Sequence, residues 1–400
     1  MEGEFFRGQT VRQMLKSKYR DLLKVSSVDI RRRSVLAGSA TALVFPRLTR
    51  AAAKPLVAPI KLIGRRVTIG VNIGGMGGSF AIDSGGAMSL INESVARDLG
   101  LPEAGDLRIG VAGTPVLHRI FVAPELTIGG IIVQHHVRFV AVPGLVLGDG
   151  IAGSISSGLV TTSPCLLDFD ALQWCVWNDS RPTFPDYTRL KALAVDAKPG
   201  FSPLITAEAQ VNGKPVTCVI DTGGESFVRL NRSMAEHLGL WTDARPYAPV
   251  AQGGRIVRVD TLSFGGVLFE RPLALLLSTD RNTNISDGLI GLPTLRRFNI
   301  GFDLDADALW LRQNSLPATD YRYAFSGLAV SETDYGLRVD DVGSHSHAAD
   351  AGILPGDVIE TSEPANVIRQ LNASAGAEVT FRVQRGASRR VVTLRMSEYL

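Results

Sequence analysis

Two stretches of this chain read alike: Phe80-Ala81-Ile82-Asp83-Ser84-Gly85-Gly86 and Cys218-Val219-Ile220-Asp221-Thr222-Gly223-Gly224. Each is a short apolar strand that runs into an acid, a hydroxyl residue and two glycines. The apolar residues favour burial, and the glycines permit a tight turn that presents a carboxylate at the strand's end. One such turn is ordinary loop chemistry. These two, however, belong to a longer repeat. The same spacing separates Asp83 from Asp149, which opens Asp149-Gly150-Ile151-Ala152-Gly153, and Asp221 from Asp287, which opens Asp287-Gly288-Leu289-Ile290-Gly291. Between these anchors Leu90-Ile91-Asn92 answers Arg229-Leu230-Asn231, and Leu126-Thr127-Ile128-Gly129-Gly130 answers Leu262-Ser263-Phe264-Gly265-Gly266. Beyond them Leu167-Asp168-Phe169-Asp170 answers Phe302-Asp303-Leu304-Asp305. The chain therefore folds one unit twice.

With 400 residues, 45% of them apolar, there is ample material for two or three packed domains. The net charge of +3 resides in the basic first 53 residues and leaves a mildly acidic body, which gives no reason to expect nucleic-acid binding. Residues 1–53 carry Arg31-Arg32-Arg33-Ser34-Val35-Leu36, the twin-arginine export pattern, then an apolar run too short to span a bilayer and a small-residue site at Ala51-Ala52-Ala53. The expectation is a signal peptide, a periplasmic or otherwise exported protein, and no membrane span in the mature chain. Three cysteines cannot all pair. Cys165 and Cys175 flank an expected hairpin and would bridge only in an oxidising compartment, whereas Cys218 reads as a small buried hydrophobe.

Short strands punctuated by glycine and proline fill residues 57–178 and again 201–313, with a linker expected at 179–200. The helical turn near Ser94 follows Asn92, a capping residue. Hairpin tips are expected at Val111-Ala112-Gly113-Thr114 and at Val250-Ala251-Gln252-Gly253-Gly254. A third unit, residues 322–397, carries Ala351-Gly352-Ile353-Leu354-Pro355-Gly356-Asp357-Val358-Ile359 and resembles a bacterial PDZ domain. Thr361-Ser362-Glu363-Pro364 stands where that pattern usually has Asn-Gly.

Hydrolysing a peptide without metal or covalent intermediate needs a base to activate water and an acid to protonate the product side. Two carboxylates close enough to share one proton supply both, because like charges in contact cannot both ionise; aspartic proteases are the standard example of this chemistry. Two copies of one lobe about a local two-fold axis would bring Asp83 and Asp221 together.

On these residues the chain resembles the retropepsin/pepsin-like aspartic proteases over residues 57–313. The resemblance implies a mainly β fold: two tandem closed β-barrel lobes, bilobal about a pseudo-two-fold axis, followed by the PDZ-like α+β domain. It makes Asp83 and Asp221 the catalytic pair, with the turns braced by Ser84, Gly85, Thr222 and Gly223. It also makes Ala112, Gly113, Gln252 and Gly253 parts of flaps, and it sets Ile151-Ala152-Gly153 and Leu289-Ile290-Gly291 beneath the two turns. No cofactor or metal is implied. The partners would be protein or peptide substrates, with peptide C-termini at the PDZ-like unit and Gly327 and Leu328 in its binding loop.

There are departures from the family. Gly86 and Gly224 stand where many relatives carry Ser, Thr or Ala, and no tyrosine occurs between Asp83 and Trp177 to act as a flap tyrosine. Asp149 and Asp287 read as structural turn acids, His135-His136 as strand polarity, and His345 and His347 as solvated loop residues. No H-E-x-x-H or G-x-S-x-G motif is present. The expected function is an aspartic endopeptidase. The alternatives are an exported peptide-binding or chaperone-like protein that keeps the fold without turnover, or a lobe that pairs with a second chain.

Overall fold

The computed structural model describes residues 54–110, 115–178, 180–196, 198–317 and 323–400. The expected signal peptide and the first hairpin tip, with Ala112 and Gly113, lie outside them.

The first half contains strands β1 (Leu56–Ile63), β2 (Arg66–Ile73), β3 (Met76–Ile82) and β4 (Ser89–Asn92), then helix α1 (Glu93–Asp98). It continues with β5 (Glu103–Ile109), β6 (Val116–Ile128), β7 (Ile132–Val142), α2 (Gly144–Leu147), β8 (Gly153–Ile155), α3 (Gly158–Thr161), β9 (Cys165–Asp168) and β10 (Gln173–Val176). The second half runs β11 (Thr188–Val195), β12 (Leu204–Val211), β13 (Lys214–Asp221), β14 (Val228–Leu230), α4 (Arg232–His237), β15 (Ala248–Val250) and β16 (Gly254–Arg258). It ends with β17 (Thr261–Phe264), β18 (Val267–Glu270), β19 (Leu273–Leu276), β20 (Gly288–Gly291), α5 (Leu292–Leu295), β21 (Phe298–Asp303) and β22 (Ala308–Gln313).

Within the first half the pairings run β2–β3–β8–β4–β7–β6 and return to β2, a ring. In the second half β12–β13–β20–β14–β19–β16 follows the same path, and β16 leads into β17, which pairs with β12. The duplication is also visible where the halves meet. Strands β1, β10 and β9 from one half join β21, β22 and β11 from the other in one antiparallel sheet. At its centre Leu167 faces Ile300, Leu166 faces Gly301 and Cys165 faces Phe302. The sequence match of Leu167 with Phe302 makes Leu166 and Gly301 equivalent positions, and these two pair with each other. The local two-fold axis passes through that pair. Both halves of this core are drawn from one chain.

Two expectations need correction. Residues 179–200 are not simply a linker, because β11 lies there. It pairs with β22 through Lys191 and with β12 from Ala192 on, as β1 pairs first with β10 and then with β2. Polar residues mask its one fully buried side chain, Ala192. The second correction concerns the segments beneath the turns. Ile290 pairs with Ile220, but in the first half it is Ile155, not Ala152, that pairs with Ile82. The equal sequence spacing is thus offset in space by three residues, and Asp149 is exposed while Asp287 accepts the Thr217 amide at 2.9 Å. The cysteines, left open by the sequence, do not bridge. Cys165 opposes Val176 and Cys175 opposes Leu166, so the two project to opposite faces of their hairpin and are free thiols.

A separate sheet follows, in the order β23 (Leu328–Thr333), β24 (Gly336–Val342), β25 (Val358–Glu360), β26 (Glu378–Arg385), β27 (Ser388–Arg395), with helices α6 (His347–Asp350) and α7 (Pro364–Leu371). Its apolar core of Leu337, Val339, Ile353, Ile359, Phe381 and Leu394 extends to Ala248, Ile256 and Leu273 of the second half. Among the described residues, no helix is long and apolar enough to cross a membrane.

The axis leaves little room. A Cβ at Gly301 would lie 2.6 Å from Cζ of Phe184, whose ring is stacked on Trp310 at 5.6 Å. Gly301→Ala is therefore expected to destabilise the chain by about 1–3 kcal/mol through overpacking, read as a lower urea midpoint. An unchanged midpoint would show that the Phe184 ring can step aside.

Candidate active site

Asp83 follows directly on β3, where its amide donates to Ile155 O at 2.9 Å, and Asp221 ends β13 opposite Gly291. The next residue in each turn locks the two together. Thr222 Oγ1 donates to Ile82 O at 2.6 Å and accepts from the Ser84 amide at 3.0 Å. Ser84 Oγ donates to Ile220 O at 2.7 Å and accepts from the Thr222 amide at 3.0 Å. Ser84 and Thr222 are buried, so each bond is made in a low-dielectric setting where an unmade one would cost roughly 1–3 kcal/mol.

The glycines are a packing requirement. A Cβ on Gly85 would fall on the Asp221 carboxyl, and one on Gly223 would lie 2.6 Å from Asp83 Oδ1. Each turn thus lets the opposite carboxylate approach its backbone. Gly86 and Gly224, the departures noted above, are equally constrained: a Cβ at Gly86 would come within 2.6 Å of Asp83 Oδ2, and one at Gly224 within 3.0 Å of Asp221 Oδ2. A side chain at Gly86 would displace the carboxyl it follows.

The two carboxyl groups lie side by side: a Cβ at Gly223 would be 2.6 Å from Asp83 Oδ1 and 3.2 Å from Asp221 Oδ1. Burial first, and then the Asp221 charge beside it, push Asp83 up to about 8. Burial also raises Asp221, but Arg229 and the Gly223 amide, which donates to Asp221 Oδ1 at 2.9 Å, oppose the shift. Both carboxyls are thus raised, and the pair titrates as a unit.

Two arginines that the sequence reading passed over shape this site. Arg66, the first residue of β2, donates to Gly223 O across the axis and pairs with Glu225 at 2.8 Å. Its charge draws both carboxyls downward. Arg229 on β14 draws Asp221 downward. An arginine in a strand looks like a solvated face, and only the folded register sets these two beside the turns.

Of the expected flap residues, Gln252 and Gly253 are described. They lie at the tip between β15 and β16, where Gln252 takes a left-handed φ of 62°. Ser278 Oγ donates to Gln252 O at 2.6 Å and Arg281 Nη2 to Gln252 Oε1 at 3.2 Å, which bends the tip onto residues 278–281. Gly327 and Leu328 lie in the C-terminal unit, where the Gly343 amide donates to Gly327 O at 2.8 Å. Their amides donate to Ala324 O at 3.1 Å and Ser326 Oγ at 3.4 Å, within their own loop.

The aspartyl protease family profile matches the chain twice, over residues 69–157 and 207–294. Each matched segment contains one of the paired turns. Among solved structures, a retropepsin-like aspartic protease from Rickettsia conorii is 18% identical and aligns over 32% of this chain and 95% of its own, with a TM-score of 0.24. A second, edgp, is 12% identical over 64% of this chain and 94% of its own, with a TM-score of 0.40. No curated protein matches the chain.

Both carboxyls are raised in the fold, so the folded chain holds protons that the unfolded chain releases. Stability from this source is complete below the ordinary value of 3.8 and is lost as pH rises toward about 8. Asp83→Asn removes the ionising group, so its Tm advantage over the parent is expected to be larger at pH 8 than at pH 4. A pH-independent gap would mean that the pair ionises freely.

Proposed function

We propose that this chain is an aspartic endopeptidase in which Asp83 and Asp221 activate one water. The observation that carries the reading is the pair itself: two half-buried carboxyls set side by side, on turns held by reciprocal bonds across a two-fold axis. Asp221, the charged partner, takes a proton from water as the oxygen attacks the peptide carbonyl. Asp83 gives its proton to the carbonyl oxygen. In the collapse of the tetrahedral diol the roles reverse: a hydroxyl proton returns to Asp83, and Asp221 delivers its proton to the leaving nitrogen, which restores the starting state. The hairpins of the two halves serve as flaps over the peptide.

On this reading the two halves are retropepsin-like lobes, the second beginning at β11, and residues 1–53 direct twin-arginine export to the periplasm. The C-terminal sheet is a PDZ domain that recruits peptides. The unpaired outer edge of β23, with α7 packed beside it, suits an added peptide strand. Recognition of a terminal carboxylate at Gly327 and Leu328 requires their amides to leave the acceptors they now have.

The test is cleavage of denatured protein by purified chain. Asp221→Asn is expected to abolish turnover while near-ultraviolet circular dichroism stays unchanged. Because Asp83 must keep its proton, the activity of the parent should decline as pH passes about 8. Normal turnover by the variant would refute the pair's role, and an inert but peptide-binding parent would leave a peptide-holding protein.

A further inference from the structure

The two halves differ beside their acids in a way the duplication does not require. In β14, Arg229 opposes Leu289, and Leu289 opposes Val219 in β13, so the three side chains share one face of the sheet. Asp221, two residues beyond Val219, shares it as well. Val219 and Leu289 pack with Leu204 against Ala87 and Ile285, an apolar lining next to Asp221. The position matched to Arg229 in the first half is Leu90.

Arg229 is largely buried, and its Nε has no hydrogen-bond partner. The charges that act on it are Asp221, which attracts, and Arg281, which repels. The nearby acids are engaged elsewhere: Glu225 with Arg66, Asp280 with the Ser233 amide, and Asp287 with the Thr217 amide. Arg281 is itself fixed in place. Its amide donates to Asn231 Oδ1 at 3.1 Å, its carbonyl accepts from Asn231 Nδ2 at 2.9 Å, and its guanidinium reaches the flap tip at Gln252. Two guanidinium groups thus converge between Asp221 and a flap, and the inner one is short of acceptors. A buried guanidinium donor without an acceptor is unfavourable, and a carboxylate is the group whose geometry satisfies guanidinium donors best.

We propose that Arg229 and Arg281 form a subsite on the Asp221 side of the cleft that takes an acidic side chain of the peptide substrate. The inference rests on the peptidase reading and names its substrate class. The apolar lining of Val219, Leu204 and Leu289 accommodates the methylenes of a glutamate, and the guanidinium groups take its carboxylate. Because the first half offers Leu90 in place of the arginine, the demand for an acid falls on one side of the scissile bond only.

The experiment walks a single Glu, Gln or Lys through the positions flanking the cleaved bond of a peptide and reads kcat/KM. In parallel, Kd of the same fluorescent peptides is measured with Asp83→Asn, in which they stay uncut. At one position Glu should exceed Gln about tenfold, with Lys poorer still. Arg281→Gln and Arg229→Met should each bring the Glu-to-Gln ratio close to one, with unfolding curves confirming that both fold. Equal use of the three residues at every position, or retention of the ratio in folded variants, overturns the subsite. If the parent cuts nothing but Asp83→Asn binds the Glu peptide selectively, the subsite stands and the peptidase reading falls. Absence of both cleavage and selective binding removes both.

Discussion

Two carboxylic acids pressed together in a half-buried turn repel once both ionise, and the residues around the axis of this molecule answer that difficulty. The reciprocal bonds of Ser84 and Thr222 hold each turn by the backbone of the other half, so neither acid can retreat without breaking buried hydrogen bonds. Arg66 adds a cation that favours ionisation of both acids, and Arg229 tips the balance toward charge on Asp221. The carboxyls then reduce the remaining repulsion by sharing a proton. The site is a compromise between burial, which drives the pair toward neutrality, and two guanidinium groups, which keep one negative charge in place.

Much of this was legible in the sequence, because the repeat is marked by residues whose roles are local. The Asp-hydroxyl-Gly-Gly turns announce themselves by composition. Asn92 caps α1 through its side chain, as its place before the helix suggests, with Ser94 N donating to Oδ1 at 3.1 Å. The Gly74-Gly75 turn between β2 and β3 takes positive φ at both residues, as a tight hairpin needs. What stayed hidden depends on long-range register. β11 has too few buried side chains to stand out, and the matched glycines after Asp149 and Asp287 concealed an offset that appears only when Ile155 is seen opposite Ile82. Arg66 and Arg229 matter through neighbours more than a hundred positions away or across a sheet, and no local pattern reports such neighbours.

Equivalent residues have also taken different work. Asn92 caps a helix, while Asn231 turns its side chain to residues 281 and 286 and leaves the cap of α4 to Asp280, which accepts the Ser233 amide at 2.8 Å. The hairpin of the second half carries an added load. Tyr247 donates to Asp341 and Val342 O, Ser344 donates to Arg245 O, and the C-terminal sheet shares its core with Ala248 and Ile256. That hairpin is therefore anchored at its base by one unit and at its tip by Ser278 and Arg281.

The axis through Leu166 and Gly301 has a last consequence. In a homodimer built the same way, any side chain placed near one acid would be imposed near its mate, and assembly would weaken on dilution. Fusing both copies into a single polypeptide lifts both restrictions. The acids meet at any concentration, and evolution can write leucine on one bank of the cleft and arginine on the other, so that a symmetric scaffold acquires a sense of direction.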